Sequence, residues 1–362
     1  MFLKAVFPMK YIQGAGAISE LPGLVLHYGR KAFVVGSPSA VRVVFTGDSV
    51  KLPNGSVIET FKGECHDREL KRLTVELEKS GADVVLGIGG GKTLDAAKII
   101  ADRADLPVVI VPTIASTDAP CSGCAVVYDE QGVFLRVDYQ KSNPAAVLVD
   151  TAIIARAPVR FLVAGMGDAL STVFEARACR RTHSPNCCGG FSTQAAGGIA
   201  ELCYTTLRNH GTAAREACES RVVTPALEYI VEANTLLSGI GFESSGLAAA
   251  HAVHNGLTAL PGTHGKLHGE KVAFGTLTGL HLNGESAGQL DEVYEFCESI
   301  GLPTTFEELG LKDIGDEDLM PAARRTCAKE ESIHHEAMTV TPDAVCGAMM
   351  AADAWGRHRK RR

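Results

Sequence analysis

Asp83-Val84-Val85-Leu86-Gly87-Ile88-Gly89-Gly90-Gly91-Lys92-Thr93-Leu94-Asp95 decides the fold. Its first half, Asp83 to Ile88, is apolar without a polar alternation, as in a parallel strand covered on both faces. It runs into three successive glycines, and Thr93 to Ala104 then shows helical spacing. Working outward, Leu106 to Val111 reads as a further strand stopped by Pro112, Lys31 to Gly36 as an earlier strand, Arg68 to Ser80 as a helix, and Ala145 to Val149 as the last strand. Pro53, Asn54 and Gly55 mark residues 50–57 as a turn between short strands. Alternating strands and helices predict a parallel sheet covered by helices.

The glycines sit where a strand gives way to a helix, and backbone N–H groups together with the helix dipole can hold phosphate oxygens there. Two phosphate-binding patterns nearly match and both fail. A Walker loop needs glycine where Leu86 stands, and the dinucleotide fingerprint needs a third glycine where Lys92 stands. A tight turn without a ligand is the bland alternative. It needs one glycine, whereas three cost backbone entropy, so a pyrophosphate cradle is the better account.

From about Pro158 the texture becomes helical: Arg160 to Arg181, Phe191 to Arg208, Val223 to Leu237, Gly246 to Leu257, His268 to Leu282 and Leu290 to Ile300 carry apolar residues at helical spacing. The expected organisation is therefore an α/β nucleotide-binding domain over residues 1–155, with a parallel sheet, followed by an all-α metal- and substrate-binding domain over 156–362. Among 362 residues, 35 Lys and Arg against 42 Asp and Glu leave a net charge of −7, which excludes the general basic field of a nucleic-acid binder. No apolar run reaches the roughly 18 residues of a membrane helix, and Met1 to Gln13 lacks a signal-peptide core. Eleven scattered cysteines fit reduced thiols and predict a cytoplasmic protein.

His251, His254, His264, His268 and His281 crowd a short stretch of the second half. His251 and His254 share a helix face at a spacing of three, and His268 opens the next predicted helix. Two imidazoles from consecutive helices plus one carboxylate would make a catalytic metal site with an open coordination position. The candidate carboxylate is Asp168 in Gly165-Met166-Gly167-Asp168-Ala169-Leu170, for which a buried helix cap is the rival reading. Cys121-Ser122-Gly123-Cys124 has no second pair at zinc-ribbon spacing and no thioredoxin-like context, which argues against a redox or metal role for it, and Cys187-Cys188 reads as loop. The basic ending Arg357 to Arg362 is read as a solvated tail.

Several long segments resemble the glycerol dehydrogenases of the iron-containing alcohol dehydrogenase and dehydroquinate synthase-like superfamily: Gly89 to Asp95, Pro112 to Ser122, Gly165 to Ala169, His251 to Gly256 and His268 to Val272. The resemblance runs in order along nearly the whole chain. It implies NAD-dependent, zinc-dependent oxidation of glycerol to dihydroxyacetone, and the reverse, with other vicinal diols as further substrates. The ligand positions match Asp168, His251 and His268, and Asp118 matches a substrate contact. His254 is the second candidate catalytic residue, facing substrate or lying behind the ligands. Around the dinucleotide the matching positions are Gly90, Gly91, Lys92, Thr113, Ser116, Ser122, Cys124 and Tyr128. The implied partner is a small polyol, and the implied assembly is a homo-oligomer, an octamer by resemblance.

Two departures stand out. Iron-dependent relatives place a further histidine four residues after the metal aspartate, where this chain has Thr172; three ligands favour zinc. After the first strand of the expected sheet, where the resemblance leads one to expect an aspartate on the adenosine ribose, this chain has Ser37. The competing readings are a sister activity on the same scaffold, either a glycerol-phosphate dehydrogenase or a dehydroquinate synthase-like lyase, and a catalytically silent NAD-binding protein. An anionic substrate would call for cations beside the metal, and only Lys266 and Lys271 lie near in sequence.

Overall fold

A computed structural model of the chain describes residues 2–45 and 50–361. Its strands are β1 (Tyr11–Gly14), β2 (Ala32–Gly36), β3 (Val57–Thr60), β4 (Val84–Gly89), β5 (Val108–Pro112), β6 (Cys124–Tyr128), β7 (Phe134–Tyr139) and β8 (Ala146–Asp150). Six of them form a parallel sheet in the order β1-β8-β5-β4-β2-β3, and β6 and β7 pair as an antiparallel hairpin. Every residue of β2, β4, β5 and β8 is buried, as their unbroken apolar runs require. The hairpin is not among the strands expected from the sequence; it is short and follows directly on the loop after Pro112.

The strand order reverses between β2 and β4, so their carboxyl ends form the kind of crevice where open parallel sheets take ligands. Gly36 lies opposite Ile88, the Ser37 N–H donates to the Ile88 carbonyl at 3.2 Å, and the Thr113 N–H donates to the Gly89 carbonyl at 3.0 Å. Ser37, the glycine turn and Thr113 are therefore neighbours along one edge. Gly89 has φ of +153°, and a Cβ there would meet the Thr93 side chain at 3.0 Å.

The chain divides into two compact units, one of Val6–Leu162 with Glu216–Gly239, the other of Met1–Ala5, Val163–Arg215 and Ile240–Arg362. This differs from a single division at residue 155/156, because Glu216–Gly239 folds back on the sheet unit. The physical reason is a set of specific bonds. Gln13 donates to the Glu228 carboxylate at 2.7 Å, Thr151 donates to its other oxygen at 2.7 Å, and Tyr11 and Thr235 share a hydroxyl hydrogen bond of 2.8 Å. Helix Pro225–Glu232 continues through a π-helical turn, Ala233–Leu237, and Asn234 from that turn donates to the Ala115 carbonyl at 3.0 Å.

The other unit is helical, including Gln194–Glu219 up to Arg215, Ala249–Leu257, His268–Leu282, Ala287–Ile300 and Pro342–Arg359. The basic ending is tied down up to Lys360: Arg357 pairs with Asp353, Arg359 with Asp291 and Glu298, and Lys360 with Glu308. Arg362, the last residue of that tail reading, lies outside the described residues. No described helix is long and apolar enough to cross a membrane.

Candidate metal centre and nucleotide edge

Asp168 sits mid-way along helix Val159–Thr182 and is fully buried. So far inside a helix its carboxylate caps nothing, which removes the rival reading of a buried cap. His268 is the first residue of helix His268–Leu282, and glycine makes its approach possible. A Cβ at Gly269 would lie 1.8 Å from the Ala164 carbonyl and 2.9 Å from the Asp168 nitrogen, and one at Gly167 would lie 2.4 Å from the Gly269 carbonyl. The two backbones are in contact, so Asp168 and His268 meet: His268 Nε2 is 3.1 Å from Asp168 Oδ1. His251 Nε2 reaches the same oxygen at 3.5 Å. One ligand atom from each of the three residues lies within 4.8 Å of the others.

The donor set fits a divalent metal. It offers one carboxylate oxygen and two imidazole nitrogens, the combination zinc accepts while keeping a position open. Behind it stands Glu175, which the sequence reading missed. Glu175 Oε2 is 2.7 Å from His251 Nδ1, while Oε1 accepts the N–H of Ala248 at 2.8 Å and of His251 at 3.0 Å. One carboxylate thus closes the start of helix Ala249–Leu257 and turns its histidine so that Nε2 faces Asp168. Its signal was available: Glu175 follows Asp168 by two helical turns and so lies on the same face.

Charges follow this geometry. Burial works to raise the Asp168 pKa, but the facing His268 and His251 rings hold it well below the usual carboxylate range. Burial works to lower the His251 pKa, and the Glu175 and Asp168 carboxylates overcome it and push it well above an ordinary histidine. For His254, burial and then the neighbouring His268 and Lys271 all act downward, so its pKa is far below the ordinary value. His254 bonds His268 through Nε2 and Asn255 through Nδ1, each at 3.0 Å. Thr172 is buried and takes no place among the three ligand atoms.

In the sheet unit, Gly90 precedes helix Gly91–Arg103, whose first N–H groups have no acceptor within the helix. The Lys92 ammonium pairs with Glu64 and lies 4.7 Å above the Tyr128 ring, which brings two expected dinucleotide residues together. Asp118 is buried and accepts a hydrogen bond from the Ser238 hydroxyl at 2.9 Å. Ser116 and Thr113 are largely buried in the same loop. Lys98, another residue the sequence reading missed, is 1% exposed and crosses from the helix to this loop. Its ammonium donates to the Ala119 carbonyl at 2.9 Å, to the Ser122 carbonyl and hydroxyl at 3.3 Å each, and to the Cys124 carbonyl, and it pairs with Asp95 at 3.2 Å.

Comparison with known proteins decides the family. The chain is 52% identical over 364 residues to a glycerol dehydrogenase of Thermotoga maritima, covering 99% of each, and residues 8–151 match the model of the iron-containing alcohol dehydrogenases. The chain belongs to the iron-containing alcohol dehydrogenase family. A glycerol dehydrogenase of Citrobacter freundii is 48% identical over 97% of each chain. Among solved structures, a probable glycerol dehydrogenase from Sinorhizobium meliloti superimposes with a TM-score of 0.95 at 42% identity, covering 99% of this chain and 100% of that one. As a member of this family the chain is an oxidoreductase, and its parallel sheet with a following helical part is the family fold.

Proposed function

We propose that the protein oxidises glycerol to dihydroxyacetone, reversibly, using NAD and a zinc ion held by Asp168, His251 and His268. The observation that carries this reading is the convergence of those three side chains within 4.8 Å in a chain so similar to glycerol dehydrogenases. When bound, zinc supplies a Lewis acid that lowers the pKa of the reacting hydroxyl, and NAD supplies the hydride acceptor. Asp118 accepts hydrogen bonds from the polyol. The N–H groups following Gly90, those of Gly91 and Lys92, hold the pyrophosphate, and Ser37 faces the adenosine ribose. Thr113, Ser116, Ser122, Cys124 and Tyr128 line the rest of the dinucleotide, with Ser122 and Cys124 kept in place by Lys98. Zinc is preferred over iron because the set has three ligands, with Thr172 where a fourth would stand.

A cytoplasmic location accords with eleven cysteines that are all free thiols. Self-association into a homo-oligomer accords with the exposed apolar residues Phe2, Leu3, Phe7 and Met9 near the start of the chain, and sedimentation velocity measures it.

Chelation followed by a substrate panel tests the reading. A strong chelator is expected to abolish glycerol-dependent NADH formation while circular dichroism stays unchanged, with activity restored by Zn²⁺. His251→Ala is expected to lose zinc and activity together. Full activity in metal-free protein would overturn the metal assignment. Turnover of glycerol phosphate but not glycerol would replace the substrate with that of a sister enzyme.

A further inference from the structure

His254 lies at the centre of a hydrogen-bonded chain that ends on a carboxylate. Asn255 Nδ2 donates to Glu331 Oε2 at 2.9 Å, and Arg325 pairs with the other Glu331 oxygen at 3.2 Å. A carboxylate beside a guanidinium accepts hydrogen bonds, so the Asn255 amide is fixed with its NH₂ toward Glu331 and its oxygen toward His254. That oxygen can only accept, so the proton of the His254 ring resides on Nδ1, 3.0 Å away. The ring is buried between an amide and another imidazole, surroundings that favour its neutral form. Its Nε2 therefore presents a lone pair to His268 Nδ1 at 3.0 Å, and the proton between the two rings belongs to His268. The His268 Nε2 is left with its lone pair on the side of Asp168, 3.1 Å distant.

We propose that His254, Asn255 and Glu331 are positioning residues that lock His268 in the tautomer able to bind the metal. This rests on the metal reading above and, of the two roles open to His254 from the sequence, takes the one behind the ligands over the one facing substrate. It also explains an asymmetry. His251 receives the same service from a carboxylate in direct contact, Glu175, while His268 receives it through an imidazole and an amide that end on Glu331. In each device Nδ1 is the nitrogen held from behind and Nε2 the one turned to Asp168, the arrangement metal-ligating histidines use.

The test measures zinc affinity of the full chain by competition with a chromogenic chelator, alongside ¹⁵N chemical shifts of the histidine rings in the zinc-loaded protein. Asn255→Leu is expected to weaken zinc binding about 10–100-fold, the usual effect of removing an outer support, with the melting temperature of the metal-free protein showing that it folds. Glu331→Gln, which keeps an acceptor for Asn255 but removes the charge, is expected to lose less, and it carries the test if Asn255→Leu does not fold. In wild type the shifts should report a protonated Nδ1 on both His254 and His268. At saturating zinc, Asn255→Leu should keep the pH midpoint of kcat/KM, because a positioning residue holds the ring and takes no proton from the substrate. Zinc affinity within about twofold of wild type in both folded variants, or a protonated Nε2 on zinc-loaded His268, would overturn the proposal. A wild-type chain that binds no zinc would overturn it together with the metal reading, whereas one that binds zinc but leaves glycerol untouched would fail the substrate reading alone.

Discussion

Lys98 in the sheet unit and Asp168 in the helical unit are both charged, both buried inside a helix, and satisfied by opposite means. Around Lys98 stand backbone carbonyls, a hydroxyl and the Asp95 carboxylate, groups that complete its hydrogen bonding as soon as the chain folds. Asp168 instead faces two imidazole nitrogens, each a competent metal ligand and each oriented from behind. A buried charge that folding alone completes is a brace. One surrounded by further donors of metal-binding type is a candidate site for an ion, and it is this difference in partner chemistry, not the burial, that distinguishes the two.

The comparison breaks most visibly at Lys98. Lys98→Met should leave Asp95 and several carbonyls without their cation, at a cost of about 3–5 kcal/mol, the range for removing one partner of a buried pair. Urea unfolding would read this loss, while zinc affinity should be unchanged. A cost below about 1 kcal/mol would mean that the loop from Ala119 to Cys124 holds its shape without the brace.

Asp118 lies on that braced loop yet is assigned to substrate, so it sharpens the contrast within a single segment. Asp118→Asn removes a charged acceptor, for which hydrogen bonds contribute about 1.5–3 kcal/mol. The KM for glycerol should rise by roughly tenfold or more with the Kd for NAD unchanged. A weakened NAD affinity with the same glycerol KM would move Asp118 to the cofactor, and a large loss of stability would make it a second brace through Ser238.

The smallest expected effect lies at Ser37, where neither kind of buried charge is present. With serine in place of aspartate at this position a charge that would repel a 2′-phosphate is absent, and no Arg or Lys directly follows Ser37 to clamp one, so NAD should be preferred but NADP measurably used. Ser37→Asp introduces a like charge whose repulsion is about 1 kcal/mol at 4 Å in water, raising the NAD-to-NADP ratio of kcat/KM by roughly fivefold. An unchanged ratio would show that Ser37 does not face the ribose.

Four of the six sheet strands, β2, β4, β5 and β8, and most helices were legible because each rests on local spacing, whereas the short edge strands β1 and β3 carry too few residues to show a pattern. His268–Leu282 has the bounds its periodicity predicts, and β4 runs straight into the glycines. The convergence of Asp168, His251 and His268 was foreseen through residue types and resemblance together, since two histidines and a distant aspartate have no common local pattern. What lay beyond reading were contacts made across the chain. Glu175 meets His251, and Asn255 meets Glu331, each across 76 residues. The return of Glu216–Gly239 to the sheet was hidden in the same way, because its helical spacing is satisfied equally well in either unit. Periodicity tells which face of a helix is buried and is silent on which partner buries it.

Glu175 has one more consequence, and it concerns orientation. Starting a helix is its costly step, and the start of Ala249–Leu257 is completed by the same carboxylate that orients His251. The bonds that complete this helix start and the bond that turns the His251 ring come from one side chain. The His251 ring is thus oriented by contacts of the chain alone, with Nε2 turned toward Asp168 as part of the same arrangement that starts the helix.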